Sequence, residues 1–212
     1  MRLEQRPHAG AAALAPHRAQ DDRVAAQGGV RQRVDPPTLA SLAKLRGVHQ
    51  IVVVDDGSTD ETPALLDQAA RHDGRLEIIR QPPSGIVPAL QRGLTACRGA
   101  WIARLDADDL AHPARVERSL QWALRHRLDV VGTGVRCFPT QQIQAGLRRY
   151  ERWQNSLVTP QAISAARFVE SPLVHPSVLM NRAKVVAVGG YRDCGWPEDY
   201  DLWLRLLRAG AR

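Results

Sequence analysis

The 212 residues suffice for one domain with a sizeable core and are too few for two. Apolar residues at 44% and charged residues at 24% are ordinary for a water-soluble domain, and no apolar run approaches the ~20 residues that a membrane-spanning helix needs. The formal net charge of +7 suits anionic partners such as nucleotide diphosphates or acidic lipids. The basic residues are scattered, without aromatic interleaving or zinc-finger spacing, so no nucleic-acid partner is expected. Cys97, Cys137 and Cys194 lie far apart in an odd count, which indicates neither a disulfide scaffold nor a zinc site. A reducing, cytoplasmic setting is expected, with any membrane contact peripheral and on the inner face.

Residues 1–48 differ from the rest. They are basic, rich in Ala, Arg, Gly and Gln, and hold no convincing strand pattern. They are expected to be poorly ordered to about residue 35, with a weak helical pattern over 37–45. From Gln50 the character changes. Ile51 to Val54 is a continuous β-branched run, as expected of a strand buried on both faces of a parallel sheet. Thr62 and Pro63 open a helix carrying Leu65, Leu66, Ala69 and Ala70 on one face. A short strand at 76–79, a glycine-led helix at 85–96 and a strand at 101–105 follow. A helix opened by Pro113 and a strand beginning at Val130 come next. A less regular stretch spans 138–170, a further strand is expected at 177–180 and a helix at 199–209. This alternation predicts a doubly wound, mostly parallel α/β sheet whose ligands sit at the carboxyl ends of the strands.

Three segments can carry chemistry. In IVVVDDGSTDET a strand delivers Asp55 and Asp56 to the sheet edge, where carboxylates can accept hydrogen bonds from a base N–H or ribose hydroxyls, while Gly57 and Ser58 permit a tight turn. The same residue types also make an ordinary capping turn. In WIARLDADDL, Asp106 and Asp108 flank a small residue at a strand end. Two carboxylates plus substrate phosphates are how proteins hold Mg2+ or Mn2+; a solvated acidic turn is the plainer alternative. In WPEDYDLWLRLL, Glu198 and Asp199 open a helix, where the dipole keeps a carboxylate ionised for service as a general base, or where they merely cap. His175 is a structural residue or else a third metal or acceptor contact. Trp196, beside Glu198, is the best candidate to stack on an acceptor sugar, whereas Trp101, Trp122, Trp153 and Trp203 read as packing.

In their order and spacing these motifs resemble the inverting family 2 glycosyltransferases. The series runs VVVDDGSTDET, GIVPALQRGLTACRG, WIARLDADD, HPARVERSL, VVGTGV, HPSVLMNR and the Glu-Asp segment entering DLWLRLLRAG. The resemblance covers residues 48–212 and implies a fold of GT-A (nucleotide-diphospho-sugar transferase) type. It also implies transfer of a sugar from a nucleotide sugar, UDP-linked by preference, to an acceptor hydroxyl that the sequence does not name. By the same resemblance Asp55 and Asp56, with Gly57 and Ser58, serve the nucleoside. Asp106 and Asp108 match the metal-nucleotide motif, with Asp108 nearest the Mg2+ or Mn2+. Asp199 matches the general base, with Glu198 beside it. Bacterial cell-envelope polysaccharide synthesis is the default setting.

The sequence departs from that family in having no hydrophobic first strand before residue 48, in reading Ala89-Leu90-Gln91 in the glycine-led helix, and in ending just after the Glu-Asp helix. An incomplete domain with an aberrant N-terminus, a truncated C-terminus and a missing first strand is therefore expected. The alternative functions are a catalytically degenerate relative and, more distantly, a haloacid-dehalogenase-type phosphatase. The latter lacks the expected Thr or Val after Asp108.

Overall fold

The computed structural model describes residues 2–6, 24–30 and 34–212. Strand β1 is Arg2–Arg6 and β2 is Val24–Val30; helix α1, Pro36–Ala43, leads to β3, Val48–Asp55. Then come α2 (Thr62–His72), β4 (Leu76–Arg80), α3 (Ile86–Ala96), β5 (Trp101–Arg104), β6 (Leu110–Ala111) and α4 (Arg115–His126). Strands β7 (Val130–Val131) and β8 (Gly134–Phe138) precede α5 (Ala145–Ser156) and α6 (Pro160–Ala166). The described chain closes with β9 (Leu179–Asn181), α7 (Arg182–Ala187) and α8 (Glu198–Arg208).

The main sheet has the order β4-β3-β2-β5-β9-β7. β4, β3, β2 and β5 are mutually parallel. β3 supplies the clearest reason for a layered fold. Ile51 and Val53 face one core with Leu42, Leu66, Val116 and Ala123, while Val52 and Val54 face another with Leu90, Leu94, Leu202, Trp203 and Leu206. Strand residues alternate sides, so an uninterrupted β-branched run must be covered on both faces. α1, α2 and α4 cover one face; α3, α7 and α8 cover the other. β5 repeats the pattern, with Trp101 and Ala103 in the first core and Ile102 in the second.

Two expectations need correction. The place between β3 and β5, expected to lack a strand, is occupied by β2, which pairs with both. The segment VAAQGGV has Ala and Gly where a buried strand usually shows β-branched residues, so propensity did not reveal it. Two parallel neighbours that each need a backbone partner outweigh that propensity. Residues 1–48 as a poorly ordered segment fall partly outside the described residues; the described parts are β1, β2, α1 and the approach to β3. Secondly, Val130–Val131 does not extend the parallel ladder. It pairs antiparallel with β9, which itself runs antiparallel to β5. Its direction matches that of β5, but a reversed strand lies between.

A second, three-stranded sheet has the order β6-β1-β8, with β1 parallel to β6 and antiparallel to β8. Its strand β6 begins directly after the Asp106–Asp109 turn.

If β2 is the central strand, its amides from 25 to 29 exchange with deuterium as slowly as those of 51–54. Fast exchange at 25–29 beside protected 51–54 would remove β2 from the sheet.

Candidate active site

The register places the acidic turns on one edge. Gln27 of β2 lies level with both Val52 of β3 and Arg104 of β5. The ladder of β5 ends at Arg104, so the Asp106–Asp109 turn leaves the sheet at the same edge as the end of β3, with β2 between the two strands. Asp55 is the last residue of β3.

Asp55 and Asp56 are both buried but differently engaged. Asp55 Oδ1 accepts from Ser58 N at 2.9 Å, and its Oδ2 lies 4.0 Å from Arg80 Nε. Asp56 accepts three hydrogen bonds: from Gln81 Nε2 at 2.7 Å, Ser84 N at 2.8 Å and Gly85 N at 2.8 Å. The last two amides belong to the entry of α3, so Asp56 clamps the end of β3 to a helix N-terminus, where a negative charge is favoured. Between them the chain turns at Gly57, whose φ is +78° and where a Cβ would lie 2.5 Å from Pro83 Cδ. Both facts require glycine. Thr62, expected to cap α2, instead accepts from Val34 N at 3.2 Å.

Asp106 and Asp108 flank the buried Ala107 and are themselves half-buried. Asp106 Oδ1 forms an ion pair with Arg104 Nη1, and Arg104 is 1% exposed. Burial works against the Arg104 charge, but Asp106, Tyr191 and Asp109 outweigh it and raise its pKa. Arg115, also buried, donates from Nη2 to the Val178 carbonyl at 3.0 Å, the same oxygen that accepts from Arg104 N.

Glu198 and Asp199 open α8. Asp199 Oδ1 accepts from Tyr200 N at 2.8 Å, and Ser171 Oγ lies 3.5 Å from its Oδ2. Burial, reinforced by the Glu198 charge, raises the Asp199 pKa. His175 sits inside the protein, with Nε2 3.0 Å from the Tyr191 hydroxyl and Nδ1 3.7 Å from Glu198 Oε1, its ring edge-on to Trp203. Burial and then the Arg104 charge hold its pKa well below the ordinary value, so the ring is neutral at pH 7. Both ring nitrogens face protein groups, and His175 belongs to the wall of the site. Trp196 is 46% exposed, and its ring centroid is 5.7 Å from that of Tyr200.

The sequence reading did not single out Arg104, Tyr191, Gln81 or Arg115. An arginine as the last residue of a strand otherwise apolar was the available signal for Arg104. Nothing local marks Tyr191, because its partner is 16 residues away. A separate apolar cavity of about 640 Å³ lies among α4, β7, α6 and α8, lined by Trp122, Ile163, Leu173, Trp203 and Leu206 among others; none of the site carboxylates reaches it.

Among the described residues no group of three or more His, Cys, Asp or Glu is assembled around a cation site. Asp106 and Asp108 offer two hard carboxylate donors, which fit Mg2+ or Mn2+ provided that a ligand's phosphates complete the shell.

Two outcomes follow. Asp56→Ala lowers stability in urea unfolding by about 2–3 kcal/mol, since three hydrogen bonds to a carboxylate and a cap are lost. Asp199 has a folded-state pKa above the ordinary 3.8, so its contribution to stability is present at low pH and is lost as pH rises through the folded value. Asp199→Asn therefore raises the thermal midpoint at pH 7 and gives no such gain at pH 3.

Residues 36–188 match the sequence family described as Glycosyl transferase family 2. The putative glycosyltransferase EpsE of Bacillus subtilis is 30% identical over 169 residues, covering 77% of this chain and 58% of that protein. The amylovoran biosynthesis glycosyltransferase AmsE of Erwinia amylovora is 29% identical, covering 76% of this chain and 59% of that protein. Among solved structures, the mannosyltransferase PcManGT of Pyrobaculum calidifontis, in complex with GDP-Man and Mn2+, superposes with a TM-score of 0.70 at 20% identity, over 94% of this chain and 56% of that one. S. aureus TarS 1-349 with UDP-GlcNAc gives a TM-score of 0.62 at 17% identity, over 87% of this chain and 53% of that one. The chain thus spans less than two thirds of the length of these relatives. The fold is the GT-A type that the motifs implied, the phosphatase alternative has no support in these likenesses, and the chain belongs to glycosyltransferase family 2.

Proposed function

We propose that this chain forms the nucleotide-sugar-binding and catalytic part of an inverting glycosyltransferase. The observation that supports this reading most is that Asp55, Asp106 and Asp108 lie at the carboxyl ends of parallel strands, on one edge of the sheet. The buried Arg104 pairs with Asp106, and His175 lies 3.7 Å from Glu198 at the start of α8. The nucleoside sits against the turn at Asp55–Ser58, whose backbone Asp56 holds rigid. Asp106 and Asp108 would hold Mg2+ or Mn2+ together with the diphosphate, and such a cation would supply neutralisation of charge on the leaving group.

Asp199 takes the proton of an acceptor hydroxyl while that oxygen bonds to the anomeric carbon. The bond from that carbon to the diphosphate oxygen breaks, and the nucleoside diphosphate leaves with the electron pair. Attack from the face opposite the leaving group inverts the anomeric centre. A raised pKa makes Asp199 a stronger base than an ordinary carboxylate, and Ser171 and Tyr200 N fix its direction. Trp196 offers an exposed aromatic face for an acceptor sugar. The role of the relative AmsE in amylovoran biosynthesis favours a polysaccharide or cell-envelope acceptor. The solved neighbours hold UDP-GlcNAc or GDP-Man, and a UDP-sugar is the donor proposed here. No helix among the described residues is long and apolar enough to cross a membrane; peripheral contact with a membrane surface is part of the proposal.

Calorimetric titration with UDP, GDP and dTDP, with and without Mn2+, tests the reading. Binding that needs the metal and weakens at least about tenfold in Asp108→Asn is expected. A folded protein that binds none of the three would point to a degenerate relative without turnover.

A further inference from the structure

We propose that Arg104 is a positioning residue that fixes Asp106, the first carboxylate of the acidic turn, through one buried charge. This inference rests on the reading of Asp106 given above. Arg104 occupies the last position of β5, and its backbone is pinned through N to the Val178 carbonyl at 3.0 Å. Its side chain is almost wholly enclosed and pairs with Asp106 Oδ1, so the first carboxylate of the acidic turn is held by a group that cannot swing away. Arginine is always charged, which makes the pairing permanent.

The Arg104 charge is also felt by Tyr191 and His175, whose side chains meet at 3.0 Å, and His175 Nδ1 lies 3.7 Å from Glu198 Oε1. Tyr191 is fixed in turn by its own N–H, which donates to Gln91 Oε1 at 3.0 Å. Gly190 packs against that amide group so closely that a Cβ there would lie 2.3 Å from Gln91 Oε1. Tyr191, His175 and Glu198 thus form a line of contacts that α3 braces through Gln91. Every protein group along it is buried or half-buried, where charges interact strongly and side chains lose their freedom. A buried cation whose anion is removed destabilises a fold, whereas removal of both partners relieves it.

That asymmetry supplies the test, with Asp106→Asn, Arg104→Met, Arg104→Lys and the double variant Arg104→Met/Asp106→Asn. In thermal unfolding, Asp106→Asn is expected to lower the midpoint by at least about 5 °C, and the double variant to recover most of that loss. In titration with UDP and Mn2+, Arg104→Met is expected to bind at least about tenfold more weakly than wild type. Arg104→Lys should retain part of the affinity, and Arg104→Met should add little in the Asp106→Asn background. A double variant no more stable than Asp106→Asn alone overturns the coupling, as does an Arg104→Met protein that binds like wild type. Failure of the wild type to bind UDP sinks the proposed function instead, and the stability comparison still decides the role of Arg104.

Discussion

The parallel pairing of β2 with β3 on one side and β5 on the other is the constraint on which everything else rests. Backbone N–H and C=O groups at the centre of a buried sheet must find partners. Here one seven-residue strand satisfies two neighbours at once. Because all three strands run the same way, their carboxyl ends open on one edge. The two acidic turns are then neighbours by topology, although 50 residues separate Asp56 from Asp106. Pairing, rather than any contact between the turns, places them side by side.

Within that frame the carboxylates divide their work by burial. Asp56 spends its oxygens on the protein and makes the turn rigid. Asp106 is half committed, to Arg104, and half open. Asp199 is enclosed enough to be a better base than an exposed aspartate, at a cost in stability when ionised. Such a carboxylate at a helix start is stabilised by the local dipole and destabilised by desolvation; here burial dominates. The wall behind it is held by neutral His175 and by Arg205, which joins Asp201 to the carbonyls of Val188 and Gly190.

The elements read most easily from sequence were those whose local chemistry agrees with their place. The β-branched run at 51–54 reads as a doubly buried strand and is one. Leu66, Leu90, Leu94, Leu202 and Leu206 fall on inward faces as their spacing implies. Ile86 in α3 and Leu124 in α4, by contrast, are 49% and 44% exposed. β2 was illegible because Ala, Gln and Gly carry no strand signature; only its neighbours' unmet backbone groups pointed to something there. The sense of β7 was illegible because two valines do not state a direction.

For the site, sequence located the three acidic segments but could not apportion their roles. Of two adjacent aspartates, which one turns inward is decided by where α3 begins, a long-range fact. Arg104 and Tyr191 acquire meaning only when β5 and the loop before α8 are packed together. The family resemblance was legible because motif order survives where single motifs are ambiguous.

The central claim is that the two acidic turns and the start of α8 form one metal-dependent nucleotide site. Paramagnetic broadening by Mn2+ in the presence of UDP, read residue by residue in an amide NMR spectrum, tests it most directly. The account predicts loss of the amide signals of 57–58, 106–110 and 198–200, with those of 120–126 on α4 unaffected. Broadening confined to one of these segments, or centred elsewhere on the domain, would contradict it.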